Sequence, residues 1–330
     1  MGKSLHFRYN KLNKTEVRKV ELKKREREAR RKRIKNNRVL YLMILPILLW
    51  YVLFCYLPIA GGLSLSFRNY RFDMGIWKSP FVGLAHFQKM MTDSEFLRAV
   101  SNTIIISLGR IAFQMPCAIA VAVFLNEIRS GKLKKFFQTI ITFPHFISWV
   151  VLAGILINLF GSGGIINQIL GAFGLASVSP IAGAQSFRPF IWISNIWKEV
   201  GWDSIIYIAA IASIDPGLYE AAEVDGASRL QRIWHITLPG IRSTIAIMLI
   251  LAVGQVMTNG SFDQIFNLYS PSVYAVGDTL DTYIFRESFI TGGLNFGYST
   301  AIGLFKSVIG IIMITIANKT VTAMGENGLY

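Results

Sequence analysis

Cysteine and charge are both scarce in this sequence. Its 330 residues include two cysteines, Cys55 and Cys117, which lie in apolar stretches without ligand-spaced neighbours. Such cysteines behave as small buried hydrophobes, which argues against a disulfide framework or a zinc site. Charged residues make up 16% of the chain and hydrophobic residues 52%, and the mean hydropathy is +0.44. This composition is typical of a membrane protein rather than a soluble one.

Catalytic motifs are also lacking. The sequence contains no HExxH, CxxC or GxSxG motif. Gly2-Lys3-Ser4 resembles the end of a phosphate-binding loop, but no upstream glycine loop or strand accompanies it. We therefore expect a chain without catalytic residues, metal or nucleotide site of its own. Any ATP hydrolysis would belong to another subunit.

Basic residues concentrate at the N-terminus. Residues 1–38 contain 16 lysines and arginines and four glutamates, and so carry +12 of the net charge of +15. A polybasic segment beside an apolar one favours the anionic cytoplasmic face of a membrane. The apolar segment that follows is too long for a signal-peptide core, so we expect a retained first span. No aromatic residue lies between Thr15 and Lys35, which argues against nucleic-acid binding.

Six apolar segments have the length of about 20 residues that is needed to cross a bilayer. They are residues 39–67, 99–125, 137–160, 189–211, 241–257 and 300–321. The predicted fold is therefore an all-α polytopic membrane protein with six transmembrane helices. Its predicted parts are a basic cytoplasmic arm (1–38), a six-helix transmembrane domain (39–322) and a cytoplasmic C-terminal tail (323–330).

The charges of the loops favour cytoplasmic N- and C-termini. With the N-terminus inside, the loop between spans two and three is cytoplasmic and carries Arg129, Lys132, Lys134 and Lys135. The opposite loop, residues 161–187, carries no charged residue. This positive-inside bias predicts a multi-pass membrane protein, embedded in lipid, with the segment 214–239 in the cytoplasm.

That cytoplasmic segment is amphipathic and is typical of two short helices with a hinge. Asp215 is placed to cap the first helix, and Pro216 suits its first turn. Gly226 permits a sharp reversal. Ser228 and Gln231 have capping-box spacing, so the second helix is expected to begin there. By itself this pattern leaves two interpretations open, an ordinary loop helix and a docking element.

Polar side chains at membrane depth are costly and generally face a cavity or each other. Lys198, Glu199 and Asp203 form a candidate structural cluster that Arg110 could join, with substrate contact as the alternative. Aromatic faces stack on sugar rings and amides bond hydroxyl groups, so a second set is a candidate substrate pathway. It comprises Trp192, Asn195, Trp197, Gln255, Asn259 and Phe262. Interfacial packing is the alternative for the tryptophans. His145 follows a proline and is expected to mark a helix kink.

The cytoplasmic segment resembles the EAA motif of the membrane subunits of ABC importers. Glu220-Ala221-Ala222 is followed after three residues by Gly226, and Ile236 and Leu238-Pro239 complete the spacing. In that family this segment is the coupling helix, which sits in a groove of the ATP-binding subunit. The resemblance implies a coupling role for a set of nine residues. They are Glu220, Ala221, Ala222, Asp225, Gly226, Arg229, Ile236, Leu238 and Pro239.

Further stretches are similar to sugar-importer permeases of the LplB type, in the group that includes the maltose permease. They are residues 143–151, 262–269, 281–283 and 303–307. The resemblance implies the type I ABC importer permease fold and a second homologous permease as partner. It also implies two ATP-binding subunits that hold ATP and Mg, an extracellular solute-binding protein and an oligosaccharide substrate.

We therefore predict a transport subunit, not an enzyme, that forms half of an ATP-driven pathway for oligosaccharides. Two alternatives stay open. The first is an ABC permease for another solute, such as an amino acid or phosphate. The second is a secondary carrier or channel that needs no ATPase. A membrane-bound enzyme is disfavoured because the catalytic motifs are missing.

Overall fold

The computed structural model describes Lys32 and residues 36–257, 262–290, 295–326 and 328–329. Most of the basic arm, and Asn259, therefore lie outside the described residues. Two compact units divide the chain, residues 1–62 and residues 63–330. In the described part, regular structure is helical, and the one extended pairing is an isolated antiparallel bridge between Arg68 and Phe81.

The first unit contains an almost fully exposed apolar helix. α1 (Arg38–Tyr51) passes through a π-helical turn (Val52–Tyr56) into α2 (Leu57–Leu65), whose last residues belong to the second unit. Arg38–Leu65 has a mean hydropathy of 2.3, so it has the length and composition to cross a membrane.

The second unit is built from helices of very different lengths. In chain order they are α3 (Gly75–Lys78), α4 (Ala85–Thr92), α5 (Ser94–Glu127), α6 (Gly131–Thr142), α7 (Trp149–Phe160), α8 (Ile165–Ala172), α9 (Ala184–Ala212), α10 (Pro216–Val224), α11 (Arg229–Arg232), α12 (Leu238–Gly240), α13 (Arg242–Gly254), α14 (Phe262–Leu268), α15 (Tyr274–Gly277), α16 (Leu280–Phe289) and α17 (Phe296–Ala323). Short 3₁₀ turns occur at Phe143–Phe146 and Pro271–Val273, and a π-helical turn at Ile233–Thr237.

Four helical segments of the described chain are long and apolar enough to span a membrane. They are Arg38–Leu65, Ser94–Glu127, Trp149–Ala172 and Phe296–Ala323. The number rises to six if each of two bent pairs forms one span, α9 with α10 (72°) and α11–α12 with α13 (59°). The predicted all-α fold is confirmed.

Two predicted spans differ from the observed helices in detail. The segment 137–160 is not one helix, because α6 ends at Thr142 and a 3₁₀ turn containing Pro144 separates it from α7. Ser148 then caps α7 by accepting a hydrogen bond from the Val151 amide. The fifth predicted span, 241–257, is helical only over α13 and ends in a turn at Gln255.

The long helices α5 and α9 pack along each other, and both carry buried polar side chains, such as Asn102 and Ser107 on α5 and Asn195 and Lys198 on α9. Glycines set two of the closest approaches around them. At Gly201 a Cβ would lie 2.2 Å from the Ile141 carbonyl oxygen, so the backbone of α9 lies directly against the backbone at the end of α6. At Gly109 a Cβ would fall 2.2 Å from the ring of Trp192. Both positions therefore require glycine for the observed packing.

Candidate functional site

Local capping fixes the start of α10. The Asp215 carboxylate accepts a hydrogen bond from the Gly217 amide at 2.9 Å, and Pro216 occupies the first turn. The carboxylate satisfies an amide that a helix start leaves without an internal partner, and the proline carries no amide hydrogen that would need one. The predicted cap is confirmed, and it starts α10 only four residues after α9 ends, with the axes bent by 72°.

The reversal between α10 and α11 depends on Gly226. Its φ of +78° lies in the left-handed region, and the Ala227 amide beside it donates to the Ala222 carbonyl at 2.9 Å. The predicted capping box follows at once. The Ser228 amide donates to the Gln231 side chain at 2.7 Å, and the Gln231 amide returns a bond to the Ser228 hydroxyl.

Two side-chain contacts join the two halves of this segment. Arg232 forms an ion pair with Glu223 at 3.0 Å, and the hydroxyls of Tyr219 and Thr237 are 3.0 Å apart. Thr237 is fully buried, which anchors the segment at its end. The shape of residues 214–239 is therefore set mainly by contacts within the segment.

The coupling candidates of this segment form an exposed surface. Glu220, Ala221, Asp225, Gly226, Arg229 and Pro239 are exposed, whereas Ala222, Ile236 and Leu238 are half-buried. Large apolar side chains are exposed among them: Val224 is 89% exposed, Leu230 69% and Trp234 66%. An apolar stripe of this kind on a polar segment is typical of a protein interface.

A second feature is a cavity of about 600 Å³ between the helices of the second unit. Side chains from α5, α7, α9, α13, α14 and α16 contribute to its wall. The polar and aromatic members are Ser107, Arg110, Gln114, Trp149, Asn195, Glu199, Asp203, Tyr207, Gln255, Phe262, Asp263 and Asp281. We call this group the cavity wall.

Three of the predicted pathway residues lie on the cavity wall, namely Asn195, Gln255 and Phe262. Trp192 does not, because its indole Nε1 donates to the Ile106 carbonyl at 3.0 Å and its ring packs over α5. Trp197 is 52% exposed and is not part of the wall either. Trp192 therefore packs between α9 and α5, and Trp197 lies outside the cavity wall.

A hydrogen-bonded row of side chains crosses the cavity wall from α9 to α5 and back. The Asn195 amide donates to Gln114, and the Gln114 amide donates to Asp203. Sequence reasoning did not select Gln114, although a glutamine that interrupts an apolar span is a signal of this kind. The row leaves amide and carboxylate edges at the cavity, which suits the recognition of hydroxyl groups.

Lys198 and Glu199 of the predicted charge cluster pair with each other, and both also contact His145. Lys198 donates at 2.7 Å both to Glu199 and to the carbonyl of His145, in the turn that follows α6. The imidazole of His145 donates to the other oxygen of Glu199 and stacks on Trp202 at 4.3 Å. This cluster ties the helix break to α9. The kink predicted at His145 is therefore a break between two helices, α6 and α7, and polar contacts of His145 hold this break in place.

Arg110 and Asp203 lie outside this ion pair. Arg110 donates to the side chain of Gln264, which in turn donates to the Ile191 carbonyl at 2.8 Å. Asp281 of the cavity wall pairs with Lys306 of α17. Among the described residues, no three or more His, Cys, Asp or Glu side chains are grouped to hold a metal ion.

A polar network fixes α16 beside the start of α5. Asp93 caps α5 and also accepts hydrogen bonds from the hydroxyls of Tyr283 (2.7 Å) and Tyr298 (3.0 Å). Burial by itself would raise the pKa of Asp93, but these donors and the α5 amides outweigh burial and lower its pKa. Arg286 pairs with Asp278 at 2.6 Å. Helix α16 is therefore held against the start of α5 by polar contacts.

Comparison with known proteins identifies the family to which this architecture belongs. Residues 114–323 match the family model described as "Binding-protein-dependent transport system inner membrane component". This chain belongs to that family. The match covers the cavity wall from Gln114 onward and all of residues 214–239, the candidate coupling segment.

Full-length relatives agree with the family match. The chain is 38% identical over 283 residues to the polygalacturonan/rhamnogalacturonan transport system permease protein YteP of Bacillus subtilis. This alignment covers 86% of this chain and 87% of YteP. It is 39% identical to Protein LplB of the same organism over 86% of this chain and 88% of LplB. The resemblance to LplB-type permeases is thereby confirmed.

Solved structures share the fold. A crystal structure of a bacterial alginate ABC transporter, in complex with an alginate pentasaccharide-bound periplasmic protein, superposes with a TM-score of 0.81 at 37% identity. The match covers 90% of this chain and 99% of that one. The type I ABC importer permease fold is therefore established, and with it a membrane-embedded transport component that works with other ABC importer subunits. The alternative of a carrier without an ATPase is wrong, and the chain is not an enzyme.

Proposed function

We propose that this chain forms one half of the translocation pathway of an ATP-driven importer of oligosaccharides released from polysaccharides. The two Bacillus relatives and the alginate transporter support the saccharide class. The cavity wall supports it too, because amides and carboxylates suit hydroxyl groups and the rings of Trp149 and Phe262 suit sugar faces. An ABC permease for amino acids or phosphate is the weaker candidate.

The single observation that carries the transport mechanism is the exposed segment 214–239. We assign it to docking on an ATP-binding subunit, through its exposed apolar side chains and the nine coupling residues named above. Closure of the ATPases on ATP and Mg would push on α10 and thereby tilt α9 and α13, which flank it in the chain. For this to change the cavity, the segment must contact the open and closed ATPases differently.

The complete importer would hold four membrane-associated subunits and one soluble partner. These are this chain, a second homologous permease, two ATP-binding subunits and an extracellular solute-binding protein. The basic residues 1–38 favour a cytoplasmic N-terminus in a bacterial plasma membrane, and six spans then place the C-terminus on the same side. The second permease would supply the other half of the cavity.

Uptake by living cells tests this function. Cells that lack the chain should lose import of labelled oligosaccharides from at least one plant or algal polysaccharide digest, and the full chain should restore it. Restored import should stop when ATP is depleted while the ion gradient is kept. Undiminished import of every saccharide in the deletion strain would refute the proposal, with amino acid and phosphate uptake as the test of the weaker candidate.

A further inference from the structure

A row of five phenylalanine rings leads away from the cavity wall. It starts at Phe262, which lines the cavity, and continues through Phe285, Phe289 and Phe296 to Phe72. Successive ring centroids lie 5.6, 5.3, 5.8 and 5.8 Å apart, which is contact distance for aromatic pairs. We call these five rings the aromatic track.

The track is assembled from elements that are far apart in the sequence. Phe262 begins α14, Phe296 begins α17, and Phe72 lies in the loop between α2 and α3. Phe285 and Phe289 are four residues apart on α16 and therefore share one face of that helix. The planes of neighbouring rings are inclined by 44–83°, so the rings do not cover one another face to face.

The outer end of the track faces water rather than the core or the lipid. Phe72 and Phe289 are each 64% exposed. Phe72 stands between Arg71 and Asp73, which form an ion pair and are both more than half exposed. Charged side chains of this kind avoid the hydrocarbon layer. Large apolar rings that are exposed beside such charges are typical of a surface that receives a ligand or a partner.

A saccharide is the ligand that suits the whole row. The C–H bonds on the face of a sugar ring carry partial positive charge, and the face of an aromatic ring is negative, so the two faces attract each other. A chain of repeating sugar units matches a row of repeating rings, whereas a single ion or amino acid has no use for one. The inner end of the row opens at the cavity wall, where the proposed substrate binds.

The order of the spans places the track on the side where an importer collects its substrate. The loop with Phe72 joins the first span to the second, and α14–α16 join the fifth to the sixth. With six spans, both connections lie on the membrane side opposite residues 214–239. If that segment docks on a cytoplasmic ATPase, the track lies outside.

We propose that the aromatic track is an entry path on which an oligosaccharide stacks as it passes from the outer surface to the cavity. This inference rests on the proposed saccharide function and extends its binding site beyond the cavity wall. A saccharide long enough to occupy both the cavity and the track gains contacts that a short one lacks. The permease therefore favours long saccharides over short ones.

Direct binding of long and short saccharides tests the track without the solute-binding protein, which would add its own selection. The full chain, with any permease that co-purifies, is placed in lipid nanodiscs. It is titrated with hexagalacturonate, alginate hexasaccharide and xylohexaose, each beside the disaccharide of the same polymer. Saturation-transfer NMR detects the weak affinities expected of a transport site. At least one hexasaccharide should bind more tightly than its disaccharide, which is short enough to stay within the cavity.

Two variants remove the outer rings but keep apolar side chains, Phe72→Leu and Phe289→Leu. Each should weaken the binding of that hexasaccharide about three- to tenfold, the order expected for losing the contact of one ring face, and should leave its disaccharide unchanged. Phe289→Tyr keeps the ring and should keep the affinity. Phe173→Leu is the matched control, because Phe173 is 77% exposed after α8 and lies outside the track; it should change neither affinity.

The outcomes separate this inference from the proposed function. Unchanged hexasaccharide affinity in both leucine variants overturns the track. An equal loss for the disaccharide overturns it too, because the damage would then lie in the cavity. Failure of every hexasaccharide to bind the unmodified chain also overturns it, and uptake by the deletion strain then decides saccharide import independently.

A protein partner on the same rings gives a different result. Solute-binding protein added to the complete importer stimulates its ATPase, and the half-maximal concentration reports docking of that protein. The leucine variants should leave this concentration unchanged. A several-fold increase, with hexasaccharide affinity intact, would mean that the rings seat the solute-binding protein, and would overturn the entry path.

Discussion

Replacing Gly226 by alanine should uncouple this permease from its ATPases. Gly226 has φ of +78°, and no heavy atom lies within 4 Å of the position that an added Cβ would occupy, so the substitution adds backbone strain and no clash. A residue with a Cβ costs about 1–2 kcal/mol in this left-handed region. That is a factor of roughly 5–30 in the population of the correct turn. Membrane insertion should be unaffected, because the strain is confined to an exposed turn.

The chain offers a matched control for this experiment. Gly174 has φ of +70° and an added Cβ there would also have nothing within 4 Å, but it follows α8, far along the chain from the coupling segment. Gly174→Ala therefore imposes the same strain elsewhere. Gly226→Asn is the rescue variant, because asparagine tolerates the left-handed region better than alanine.

The assay is co-purification of the ATP-binding subunits with the tagged permease, followed by uptake of labelled oligosaccharide. Gly226→Ala should retain several-fold less ATPase or transport several-fold less per ATP hydrolysed, and Gly226→Asn should recover most of the loss. The reasoning is refuted if Gly226→Ala matches the unmodified protein in both measurements, or if Gly174→Ala is equally impaired.

Two further predictions concern the membrane helices. Gly201→Ala should lower the thermal stability of the detergent-solubilised protein by the equivalent of about 1–3 kcal/mol, because its Cβ would lie 2.2 Å from a backbone carbonyl of α6. Gly154→Ala is the control and should not lower the stability, because no heavy atom lies within 4 Å of the added Cβ. Equal melting temperatures of the two variants would contradict the packing at Gly201. Lys198→Met should cost about 1.5–3 kcal/mol, because Glu199 loses the hydrogen bond of its lysine but keeps that of His145. The double variant with Glu199→Gln should regain part of this, and a double variant no more stable than the single one would argue against the pair.

The coupling segment was predictable because its determinants are local. Asp215, Gly226, Ser228 and Gln231 act on backbone groups one to four residues away, so their spacing in the sequence is also their spacing in the structure. At His145 only the break that follows from the preceding proline was predicted, because its partners Lys198 and Glu199 lie 53 and 54 residues away in the sequence. The sequence therefore predicted local structure where the hydrogen bonds that fix it join residues close together in the chain.

The cavity wall was only partly predictable, because the face that a residue presents depends on neighbouring helices. Trp192 and Asn195 are three residues apart and share a side of α9, but the Ile106 carbonyl of α5 holds the indole away from the cavity. Gln114 enters the wall only because α5 packs along α9. A helical period gives the rotation of residues about one axis, not the position of the next helix.

The self-contained shape of residues 214–239 has an evolutionary and practical consequence. Its caps, its reversal and the Glu223–Arg232 and Tyr219–Thr237 contacts all close within the segment. Its boundary with the helices is narrow, with Ile214 packed against Gly240. Under the proposed docking role, such a unit is interchangeable. Exchanging it between permeases would transfer the choice of ATPase while leaving the solute cavity untouched, so that one motor could be shared among importers whose cargoes diverge.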